Sequence, residues 1–128
     1  MRLFDYRTIL SVAILLIVGC SKSTDVDLPI TSTSEEAKEL YNKAWYYWDQ
    51  SEGMKGWGLM EEALSLDPDF ILANLYVPTN EPNKLREHRD RAKENSKNGN
   101  DYEQLAVKMW IAEREGRSTD YINLCKEL

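Results

Sequence analysis

The stretch Ala37–Pro68, AKELYNKAWYYWDQSEGMKGWGLMEEALSLDP, carries two apolar stripes of helical period, a turn between them and a stop signal after. Ala37, Leu40, Tyr41, Ala44, Tyr47 and Trp48 share one face of a first helix, and Trp57, Met60, Ala63 and Leu64 one face of a second. Ser51, Glu52 and Gly53 fall between the stripes and read as the turn. Neither helix can cover its stripe alone in water, so the two fold back on each other as an antiparallel hairpin that still has apolar surface left for a neighbour.

A chain of 128 residues holds one domain at most. Its first 19 residues have a basic flank, Arg2 and Arg7, followed by an apolar run from Ile9 to Val18. That run is too short to span a bilayer and has the length of a secretory signal's apolar segment. It ends in Ile17-Val18-Gly19-Cys20, which resembles the bacterial lipobox. The resemblance implies removal of residues 1–19, lipidation of Cys20 with palmitate-like acyl chains, and anchoring to a membrane of the cell envelope. The outer membrane is the more compatible one, because Ser21 follows the cysteine. Two or more acyl chains give stable anchoring where one is marginal. Without residues 1–19 the formal charge moves from −6 to about −7, which argues against nucleic acid as a partner. With Cys20 modified, Cys125 has no partner for a disulfide.

Residues 20–33 then read as the lipidated cysteine and a flexible tether rich in Ser, Thr and Asp, reaching roughly 20 Å. The helical domain follows over 34–128. Ser32-Thr33-Ser34-Glu35-Glu36 offers a capping box, with Thr33 and Glu36 the preferred pair. After Pro68, the residues Phe70, Ile71, Ala73 and Leu75 predict a short helix that Pro78 and Pro82 must end. A charged helix from about Asn83 to Lys97 has only Leu85, His88 and Ala92 on its apolar side, and Asn98–Asp101 marks a break and a new N-cap. From Tyr102 the first spacing returns, with Leu105, Ala106 and Met109, a turn over Gly116–Ser118, then Ile122 and Cys125.

In Leu40-x2-Lys43-Ala44-x2-Tyr47, followed by Gly56, Met60, Ala63 and the run Ala63-Leu64-Ser65-Leu66-Asp67-Pro68, the chain resembles one tetratricopeptide repeat. Lys43 departs from that pattern. Tyr102, Leu105, Ala106, Ile122 and Cys125 fill the corresponding slots of a third repeat, and the middle repeat is about six residues short of full length. The resemblance implies an all-α fold of antiparallel helix hairpins stacked as a short TPR-like solenoid. No C-terminal capping helix with a polar face is visible, so the chain is expected to continue past Leu128 or to have its last helix covered by a partner.

In that family the residues after the conserved first-helix slots face an inner groove. Carried over, these are Tyr41, Trp45 and Trp48 in the first repeat and Glu103, Val107 and Trp110 in the third. Tyr41, Trp45 and Trp48 also share one flank by helix spacing alone, as an aromatic ledge of the kind that dominates binding energy. The competing expectation is that the same rings pack inward as core.

Other residues have plainer explanations. Gly56 and Gly58 each cost about 1 kcal/mol in a helix relative to Ala, and close helix approach beside Trp57 accounts for them. Asp67 and Asp69 flank Pro68 as solvated carboxylates of a helix stop. His88 lacks a ligand partner at metal spacing, Cys125 is a small core residue, and the Lys84–Lys97 charges form a solvated face or pair with a second copy. No catalytic, metal-binding or cofactor motif is present. The function expected is therefore a lipid-anchored, non-enzymatic scaffold or adaptor that binds a peptide or helix of another envelope protein. The alternatives are a glycan-binding outer-membrane lipoprotein, or the N-terminal recruiting domain of a longer envelope enzyme.

Overall fold

The computed structural model describes residues 29–127. The residues read above as a signal segment, Cys20 and the start of the expected tether lie outside them. Among the described residues there are six α-helices, one short 3-10 turn and no strand, so the fold is all-α. The helices are α1 (Glu35–Asp49), α2 (Gly53–Leu66), α3 (Ile71–Tyr76), α4 (Pro82–Asn95), α5 (Asp101–Arg114) and α6 (Ser118–Cys125), with the 3-10 turn at Ser96–Asn98 after α4. Consecutive helices pair as α1 with α2, α3 with α4 and α5 with α6, and α3 touches both α2 and α5. None of these helices is long and apolar enough to cross a membrane.

In the first hairpin, Ala37, Ala44, Met60 and Ala63 are all fully buried at the helix crossing. Gly56 lets the backbones close: a Cβ there would sit 2.8 Å from the Ala44 carbonyl and 2.6 Å from Trp48 Nε1. Gly58 faces open space, so close approach explains the first glycine and not the second. Gly53 opens α2 and does not belong to the turn. The reversal is built at Ser51 (φ 62°), where Glu52 N–H donates to the Tyr47 carbonyl and Ser51 N–H to that of Trp48. The same two bonds close α5 around Gly116 (φ 67°), from Arg117 to Ala112 and from Gly116 to Glu113. Both are Schellman endings.

The centre of the core is α3. Phe70 and all residues from Ile71 to Leu75 are buried, and Val77 closes the segment. Asn74 is tolerated there because its amide donates to the Pro68 and Phe70 carbonyls while its Oδ1 accepts from His88 Nδ1 at 2.8 Å. Against this apolar helix, α4 buries only Ala92 and is held by polar contacts. Arg89 donates to the Asn74 and Val77 carbonyls, Arg91 to the Pro68 carbonyl, and Asn95 to Asp69.

Several expectations are corrected. Ser34 caps α1, accepting from the Ala37 N–H, because Thr33 gives its own N–H to Asp67. Of the tether, Pro29–Thr33 is laid against the helices: Asn100 donates to the Pro29 carbonyl, Thr31 N–H to Glu103, and Ser32 and Thr33 to Asp67. Asp67 is accordingly buried and not a solvated helix stop. At the other end no residue of α6 is fully buried: Ile122 is 55% exposed and Cys125 is exposed, so neither serves as core.

Candidate functional site

The six residues expected to line a groove do not share one surface. Tyr41 lies beneath the others, buried on Phe70 with ring centroids 5.1 Å apart, and burial pushes its phenol pKa well above the ordinary value. Val107 is buried. Glu103 is 0% exposed and forms a capping box with Asn100, its Oε2 accepting from the Asn100 N–H at 3.0 Å. Its other oxygen holds the Thr31 N–H at 2.7 Å. These three therefore build and clamp the fold and do not line an open groove.

Trp45 and Trp48 do come together at the surface. Their rings meet edge to face at 4.9 Å, and Trp45 also meets Tyr76 edge to face at 5.5 Å and Tyr41 at 6.2 Å. Trp48 is fixed by its indole N–H, which donates to the Gly53 carbonyl at 3.1 Å, and by its contact with Gly56. Trp45, gripped on three sides, is still 37% exposed, and Tyr46 beside it is 61% exposed. Edge-to-face contacts favour this arrangement beyond the area they bury, so the exposed indole is held in one orientation. Tyr76 enters from the last position of α3, half-buried, its pKa raised by burial. Its role was not legible from the sequence, because the chain between Phe70 and Pro78 is too short to show a periodicity.

Trp110 stands in a different setting. The guanidinium groups of Arg89 and Arg114 both lie over its ring, each 6.0 Å from the ring centroid. Arg89 was expected on a solvated face; it is half-buried instead, because its two Nη groups cap the end of α3. The two sites thus offer different chemistry, a rigid aromatic platform on α1 and a cationic, indole-floored cleft between α4 and α5. Compared with family models, curated proteins and solved structures, the chain matches none.

Proposed function

We propose that this is a lipid-anchored, TPR-like helical-repeat protein of a bacterial cell envelope that binds a peptide or helix of another protein and catalyses no reaction. The anchor would be Cys20, placing the helical domain at the outer membrane in preference to the inner. Trp45 carries the reading: an indole left 37% exposed while three other rings immobilise it has little ordering entropy to lose when a partner covers it. The repeat reading is supported by the shared closing geometry of the first and last hairpins, at Ser51 and Gly116.

The test is co-purification from envelope extracts with Trp45→Ala, which removes the exposed ring while leaving Trp48 on Gly56. Loss of a specific protein partner is the expected result; unchanged recovery would sink the aromatic platform. Tryptophan fluorescence that responds to oligosaccharides would instead favour the glycan-binding alternative. The anchor is checked separately, by whether Cys20→Ala shifts the protein out of the membrane fraction and abolishes palmitate labelling.

A further inference from the structure

Between α4 and α5 lies a cleft of about 420 Å³, walled by Leu85, Arg86, Arg89 and Asp90 on one side and by Trp110 and Arg114 on the other. That volume falls among ordinary ligand pockets, about 300–1,000 Å³. In a chain of net charge −6, three guanidinium groups converge here against one carboxylate. The ion pairs among the described residues all involve other groups. Arg86 donates to the neutral Asn83 amide oxygen at 3.1 Å, and Arg89 spends both Nη groups on backbone carbonyls. Arg89 is thus a half-buried permanent cation with neutral partners only, and a cation taken out of water is stabilised by an anion brought beside it.

We propose that this cleft receives the carboxylate groups of an acidic peptide segment, with Arg86 and Arg114 supplying the hydrogen-bonding forks and Trp110 an apolar floor for the stems. The proposal rests on the helical domain being a peptide receptor and names the partner's chemistry. Carboxylate is favoured over phosphate by the walls. They are side chains of α4 and α5, and the one residue from the first turn of α4 at the cleft is Pro82, which has no N–H, whereas phosphate sites draw on clustered backbone amides. Asp90 would further repel a dianion, while the flat guanidinium fork matches a carboxylate in two parallel bonds. Leu85 and the Trp110 ring suit the methylenes of a glutamate or an adjacent leucine.

The experiment is fluorescence anisotropy of a dye-labelled peptide of alternating Glu and Leu, titrated with the full chain in detergent. A second peptide has Gln at every Glu position. The acidic peptide should bind, the Gln peptide at least about tenfold more weakly, a difference of about 1.4 kcal/mol. Arg86→Gln with Arg114→Gln should cost about tenfold or more, and the paired Lys substitutions should restore part of it, because charge returns without the fork. Equal binding of both peptides, no binding of the acidic one, or wild-type binding by the arginine double variant would each overturn the proposal. So would stronger competition by inorganic phosphate or phosphatidylglycerol vesicles than by unlabelled acidic peptide. If the double variant fails to fold, the comparison of the two peptides on the wild-type chain still decides. Acidic-peptide binding that survives Trp45→Ala, alongside unchanged co-purification, would sink the aromatic platform alone; loss of the envelope partner in Trp45→Ala with no acidic-peptide binding would sink the cleft alone.

Discussion

Glu103, fully buried in the first turn of α5, accepts a 2.7 Å hydrogen bond from the backbone N–H of Thr31, a residue 72 positions earlier in the chain. The same carboxylate closes the capping box with Asn100. One side chain therefore starts the last hairpin and seats the segment that leads to the first. Glu103→Ala removes both acceptors and leaves two N–H groups without partners. A buried donor left without its acceptor costs about 1–3 kcal/mol, so with two of them unfolding in denaturant should show a loss of about 2–6 kcal/mol. Proteolysis near Thr31 should also accelerate.

Asp67 holds the other end of the same segment. Burial pushes its pKa up, but the hydrogen bonds from Ser32, Thr33 and Asp69 together outweigh it and hold the carboxyl below its ordinary 3.8. A depressed carboxylate contributes stability that is fully present above its ordinary value and is lost as pH falls through the folded value. Melting temperature followed below about pH 4 should therefore drop more steeply for the wild type than for Asp67→Asn, which starts less stable and has no such group to titrate.

The two α2 glycines separate helix propensity from packing. Gly58→Ala meets open space and should stabilise by about 1 kcal/mol. Gly56→Ala drives a methyl into the Ala44 carbonyl and Trp48, so it should destabilise by about 1–3 kcal/mol despite the same propensity gain. Denaturant midpoints of the two variants should move in opposite directions.

Ser51 occupies the left-handed position that Gly116 fills in the last hairpin. A side chain in that conformation costs about 1–2 kcal/mol relative to glycine. Ser51→Gly should raise the melting temperature, by roughly 4–8 °C for each kcal/mol recovered. Gly116→Ala should lower it.

His88 gives the protein a second acid-sensitive element. Its Nδ1 must donate, since the Asn74 amide nitrogen is committed to two carbonyls and presents Oδ1 to the ring. Burial first, then the charges of Arg91 and Arg89, lower its pKa beneath the ordinary 6.5, with Glu87 and Glu61 opposing. The unfolded chain then takes up a proton before the folded one does. Stability is present in full above the ordinary value and declines from there down to the depressed folded value. His88→Gln should flatten that part of the stability profile between neutrality and about pH 5.

Helix existence was legible wherever an apolar stripe ran for three turns or more. The inward set of α1 and α2, with Ala44 and Ala63 at the crossing, follows from spacing alone. The helix at α3 was legible in outline from Phe70, Ile71, Ala73 and Leu75, but not that it would be the centre of the core. Leu72, Asn74 and Val77 are buried because neighbours cover every side of it, a circumstance no periodicity records. Of the site, the exposure of Trp45 and the pairing of Trp45 with Trp48 were within reach of helix geometry. The burial of Glu103 was not, because a charged residue on a helix reads as surface until its partners are known.

What the residues determined by themselves was local: where helices start, stop and turn, and which stripe each must hide, because those depend on bonds and side chains within a few positions. What only the tertiary structure decided was which polar groups go inside and which aromatic rings stay out. Glu103 and Asp67 are buried because backbone N–H groups of Pro29–Thr33 come to meet them, and Trp45 remains exposed because Tyr41 and Tyr76 already fill the space beneath it. Desolvation of a polar group is repaid only by a partner in the right place, and for these residues that partner lies tens of positions away along the chain.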